Sequence, residues 1–187
     1  MPEIDDERAE IIMYGLQNII GELPKGIVIF AIAYILGIFK LTLISTLVIA
    51  PYRCVSGGIH MKTHIGCIIT SFLLYSLPAL FGKYIILDVS LKYVLAVSVW
   101  IFSIVMIKLY APADTENLPI LRKKERKQKQ ILSYIILTIE IIIAVIVPNH
   151  TIAEIIILGD FIQTLTITRV AYNITKSKYG HEVYANN

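Results

Sequence analysis

The chain is dominated by long apolar stretches, and these leave few folds open to it. The first, residues 26–52, reads GIVIFAIAYILGIFKLTLISTLVIAPY, and further apolar runs cover 65–82, 84–109, 131–147 and 151–172. About 20 apolar residues in a helix cross the hydrocarbon core of a bilayer. Of the 187 residues 56% are hydrophobic and 17% charged, against about 25% charged in a soluble domain. The expected fold is therefore all-α: a polytopic integral membrane helix bundle forming a single membrane domain over residues 1–187.

The bundle is expected to carry an N-terminal amphipathic helix within residues 1–25. Ala9, Ile12, Met13, Leu16, Ile19, Ile20 and Leu23 recur at three- and four-residue steps. Asp5, Asp6 and Glu7 suit its first turn, where the helix dipole favours negative charge. Gly37 and Lys40 interrupt the 26–52 run, which reads either as one crossing or as two shorter segments bent near Ile38–Lys40. Asp88 and Lys92 are spaced to pair across one helical turn. Residues 110–130 form a basic loop, with seven Lys/Arg against three Asp/Glu from Lys108 to Gln130. The positive-inside rule places that loop in the cytoplasm. Its position between spans speaks against a nucleic-acid-binding tail. Counting spans backwards puts Arg53, Lys62 and Cys67 at the cytoplasmic membrane boundary.

Both cysteines and two of the four histidines lie in RCVSGGIHMKTHIGC, Arg53 to Cys67. Three readings compete there. Cys54, His60, His64 and Cys67 are plausible zinc ligands, although their spacing matches no common zinc pattern. Cys67 and His60 are a plausible nucleophile and base. Seven residues of helix rise about 10.5 Å, so the two can cooperate only if His60 folds back on an irregular segment, which Gly57 and Gly58 permit. Cys67 would then lie in the first turn of a span. The third reading is a polar collar, with Arg53, Lys62 and His64 at the headgroups and Cys67 packing as a small apolar residue.

The pattern Arg53, Gly58, His60, Cys67 resembles the signature of the AgrB family, the membrane cysteine peptidases of bacterial quorum sensing. The stretch YAPADTENLPI, Tyr110 to Ile120, is similar to the loop that follows a span and precedes a basic segment in that family. The resemblance implies a multi-pass protein of the bacterial cell membrane with Cys67 as nucleophile, His60 as general base, and Arg53 and Gly58 supporting the site. It implies an AgrD-type precursor peptide as substrate, cut near its C-terminal end through a thioester and closed to a thiolactone or lactone. It also implies a homodimer, and neither a cofactor nor a metal. Asp114, Glu116 and Gln163 are candidates to orient His60.

A rival function is a small-peptide or solute transporter that uses the intramembrane charges Lys40, Glu140, Glu154 and Asp160. Such residues commonly face a bundle interior or a water-filled cavity. Cys54 reads as packing, and His150 and His181 as solvated.

Overall fold

The structure is a computed structural model that describes residues 23–61, 63–85, 87–116 and 119–184. The amphipathic helix expected over residues 1–25 lies outside these, except for its last three residues. They open α1, Leu23–Ile35. The chain continues through α2 (Phe39–Ser56), α3 (His64–Tyr84), α4 (Val89–Tyr110), α5 (Lys123–Ile146), α6 (His150–Thr166), α7 (Arg169–Ile174) and α8 (Gly180–Tyr184). The helices α2 to α5 are each long and apolar enough to cross a membrane. Leu47, Val94, Val97, Ile101, Ile135 and Ile139 stand exposed on their outer faces. Four helices of this length and composition, with apolar outer faces, make the protein a multi-pass membrane helix bundle.

The sequence runs are redrawn in three places. Residues 26–52 form two helices, because the chain turns at Leu36–Ile38 with Gly37 at φ 65°. The basic stretch is a loop only in its first part: Lys123 to Gln130 form the opening turns of α5. Lys, Arg, Gln and Glu are strong helix formers, and Glu125 pairs with Lys129 one turn on, at 3.4 Å. The last run, 151–172, stops being one helix at Thr166. There the Thr166 hydroxyl donates to the Gln163 carbonyl (2.7 Å) and the Thr168 hydroxyl to that of Leu165 (2.7 Å). Threonine side chains compete in this way with the helix ladder. Thr168 then caps α7, accepting from the Ala171 amide at 3.3 Å.

Despite its shortness, α6 is the central helix. It packs against α2, α3, α4 and α5, and ten of its seventeen residues are buried. The main core joins Tyr52, Val99, Ile107, Leu137, Ile141, Ile156 and Ile157. The C-terminal ends of α2, α4 and α6 meet at one end of the bundle, and the motif stretch is built there.

Candidate active site

The segment that leads to His60 leaves α2 through two glycines. Gly57 closes the helix at φ 73° and Gly58 follows at φ 141°, regions that L side chains rarely enter. Space forbids a side chain as well. A Cβ on Gly57 would lie 2.2 Å from the Ala113 carbonyl oxygen, and one on Gly58 would lie 2.5 Å from Thr166 Oγ1 and 3.0 Å from Arg53 Nη1. The close approach is used. Gly57 and Ala113 form an isolated parallel bridge, in which the Gly58 amide donates to the Ala113 carbonyl (2.9 Å) and the Ala113 amide to that of Ser56 (2.8 Å).

Arg53, in the last turn of α2, holds the same segment from the other side. Its Nη2 donates to the Ile59 carbonyl at 2.7 Å. Its Nη1 donates to Gln163 Oε1 at 3.2 Å and to Thr166 Oγ1 at 3.4 Å. The Ile59 amide donates to the Thr166 carbonyl at 3.1 Å. Arg53 and Gly58, both anticipated as supporting residues, are thus in one hydrogen-bonded hub with the end of α6.

His60 emerges exposed from this hub. Its carbonyl accepts from Ser177 Oγ at 3.3 Å. It lines a cavity of about 410 Å³ together with Arg53, Gly58, Asp114, Thr115 and Lys129. Cys67 is buried in the first turns of α3, outside that lining. Thr63 caps this helix: its hydroxyl accepts from the Gly66 amide (3.1 Å), and its carbonyl from the Cys67 amide (2.9 Å). His60 is therefore on an irregular segment and Cys67 near a helix start.

The opposite wall of the cavity is the loop after α4, and it is tied down by the C-terminal segment. Asp114 has a fully buried side chain. It accepts from His181 Nδ1 (2.6 Å), the His181 amide (2.8 Å) and the Ile120 amide (3.0 Å), and pairs with Arg126 at 3.4 Å. His181, read from sequence as solvated, is instead the clasp on this loop. Tyr172 adds its hydroxyl to the carbonyls of Ala113 (3.0 Å) and Asp114 (2.9 Å) and stacks on Tyr179 at 4.0 Å between centroids. Burial holds the phenols of Tyr172 and Tyr179 well above the usual tyrosine range, so both remain donors. Among the three candidates to orient His60, Asp114 belongs to this clasp and Gln163 to the hub.

Other singled-out residues separate in the same way. Cys54 is exposed and lines the cavity, where packing had been expected. Among the described residues no three His, Cys, Asp or Glu gather closely enough to hold a metal. Asp88 caps α4 by accepting from the Ser90 amide at 2.9 Å, while Lys92 is buried with its ammonium 4.8 Å from the Tyr93 ring centroid. Glu154 accepts from the Leu87 amide at 2.7 Å. Glu140 and Asp160 lie beside each other inside the bundle.

Known proteins share this chain's pattern over most of its length. The family described as accessory gene regulator B matches residues 1–167. The accessory gene regulator protein B of Staphylococcus aureus is 29% identical over 158 residues, covering 84% of this chain and 81% of the relative. An AgrB-like protein of Clostridium acetobutylicum is 27% identical over 169 residues, covering 88% and 77%. One from Listeria innocua is 26% identical over 185 residues, covering 96% and 87%. No solved structure matches the chain.

Proposed function

The chain belongs to the AgrB family, which gives it a role in the accessory gene regulator quorum-sensing system, and from that premise we propose that it is a membrane-embedded cysteine endopeptidase. Its substrate is an AgrD-type precursor peptide, cut in the C-terminal part and closed to a thiolactone or lactone. The observation that carries this reading is the construction of the His60 segment. Two glycines that tolerate no Cβ and the half-buried guanidinium fork of Arg53 hold a histidine in the lining of a cavity of about 410 Å³. A polar collar has no need of such specification.

In the proposed reaction the Cys67 sulfur, its proton taken by His60, attacks the scissile carbonyl carbon. The first-turn amides of α3 that lack helical partners by position, those of His64 and Ile65, are suited to the oxyanion. His60 returns the proton to the leaving amine, the C–N bond breaks, and the N-terminal part stays on Cys67 as a thioester. A cysteine thiol or serine hydroxyl within the peptide then attacks that thioester. Its proton passes through His60 to the Cys67 sulfur, and the ring is released. A thioester conserves the energy of the acyl bond, so an internal nucleophile competes with water where water is scarce.

The site faces the cytoplasm in this reading, because the basic turns of α5, from Arg122 to Lys129, begin at the same end of the bundle. The protein acts in the bilayer as a homodimer.

The test is cleavage in reconstituted lipid, followed by mass spectrometry with an AgrD-type precursor. Wild type should release a C-terminal fragment and carry an adduct of the N-terminal mass. Cys67→Ala and His60→Ala should each abolish both while inserting normally. Cleavage by either variant would remove the dyad.

A further inference from the structure

Gln163 is fully buried on α6, and all of its hydrogen-bonding capacity is used. Its Nε2 donates to the Gly57 carbonyl at 2.8 Å and to Ser56 Oγ at 3.0 Å. Its Oε1 accepts from Arg53 Nη1 at 3.2 Å and, at 3.3 Å, shares the single Thr166 hydroxyl proton with the Gln163 main-chain carbonyl at 2.7 Å. The orientation of the amide is dictated by Arg53, which has only donors to offer. A glutamine in such a place is expensive to desolvate, and an apolar residue would pack there more cheaply. What it gains is a fixed main chain. Gly57 is held through its carbonyl by Gln163, and Ile59 through its carbonyl by Arg53, whose fork Gln163 orients. The next residue is His60.

We propose that Gln163 is a positioning residue for His60, acting through the Gly57 carbonyl and the Arg53 guanidinium. The inference rests on the peptidase reading above and adds a part for the central helix. α6 contributes no reacting group, yet it decides where the base stands. Misplacement of a catalytic group by about 1 Å can cost roughly 100-fold in rate, and loss of these four bonds permits a shift of that size.

The test uses the full-length protein in lipid and two readouts. One is the rate of iodoacetamide alkylation at Cys67 against pH, with mass spectrometry separating Cys67 from Cys54. The other is turnover of the precursor peptide, resolved into kcat and KM. Gln163→Met keeps the volume and deletes every hydrogen bond. Gln163→Glu keeps the acceptor facing Arg53 and loses donation to Gly57.

Gln163→Met is expected to move the Cys67 alkylation profile onto that of His60→Ala and to lower kcat roughly 100-fold, with KM within about 3-fold. Gln163→Glu is expected to fall between it and wild type. Thr166→Val, a smaller cut in the same hub, should shift the profile the same way and by less, and serves should Gln163→Met fail to fold. A Cys67 profile that matches wild type in these variants, with His60→Ala distinct, would overturn the proposal and leave the dyad standing. Identical profiles for wild type and His60→Ala would sink the dyad reading and this inference with it.

Discussion

Gln163 and Asp160 lie about one turn apart on the same helix and are equally buried, yet their surroundings treat them in opposite ways. Gln163 has a partner for each donor and each acceptor position. Asp160 receives no hydrogen bond from an amide, hydroxyl or cationic side chain among the described residues; its one polar neighbour is the Glu140 carboxyl, with which it can bond only by sharing a proton. Burial by itself therefore does not identify a working polar group in a membrane bundle. A network anchored to main chain on several elements specifies one geometry, whereas a carboxyl pair bonded only to itself costs desolvation and fixes little else.

The contrast is sharpened first by Gly57→Ala. A Cβ 2.2 Å from a backbone oxygen forces the bridge to Ala113 apart, and a positive φ adds strain. Cleavage of the precursor should fall by about 100-fold or more through displacement of the base, checked by peptide mass in the same reconstituted assay. Near-normal turnover would mean that the hub does not set the position of His60.

Asp114→Ala should have the next largest effect. It strands the amides of His181 and Ile120 and frees the Arg126 guanidinium. Removing one partner of a buried charged pair costs about 3 kcal/mol or more. The thermal midpoint in detergent should drop, and limited proteolysis should open the 111–120 loop before the helices. Tyr172→Phe, which deletes one hydroxyl shared by two carbonyls, should cost about 1 kcal/mol by the same melting measurement.

The smallest effect is expected at the acid pair. Glu140→Met combined with Asp160→Leu should leave the midpoint unchanged or raise it, because two buried carboxyls with no partner but each other are replaced together by packing side chains. Cleavage should persist. If the protein stayed folded but stopped delivering product across the membrane, the pair would belong to a transport path, and the rival reading from the sequence would regain weight.

How much of this could be read in advance follows from the range of each interaction. The apolar helices were legible because hydrophobicity is local, and Arg53, Gly58, His60 and Cys67 could be proposed together because they fall within fifteen consecutive residues. The break at Gly37 was half visible, since a glycine permits a turn without requiring one. The helical state of Lys123 to Gln130 was obscured by its charge, which says where a segment sits but not how its backbone is folded. His181 was least legible, and Gln163, named among three candidates to orient His60, could not be told apart from the other two. Gln163 meets Arg53 across 110 positions and His181 meets Asp114 across 67, and no periodicity within either segment reports such a meeting.

The length of α6 has one further consequence. Seventeen residues of helix measure about 25 Å, whereas the hydrocarbon core of a bilayer is about 30 Å thick. Were α6 to start level with one face, it would stop short of the other, and the hub at its end would lie several ångströms beneath the surrounding headgroups. A peptide already lying in the plane of the leaflet is at the right depth to slide into such a recess sideways. One dissolved in water would first have to sink. Under the proposed peptidase function, capture of substrate then becomes a search over an area, and its rate should follow the density of peptide per unit of membrane, with bulk concentration entering only through partitioning.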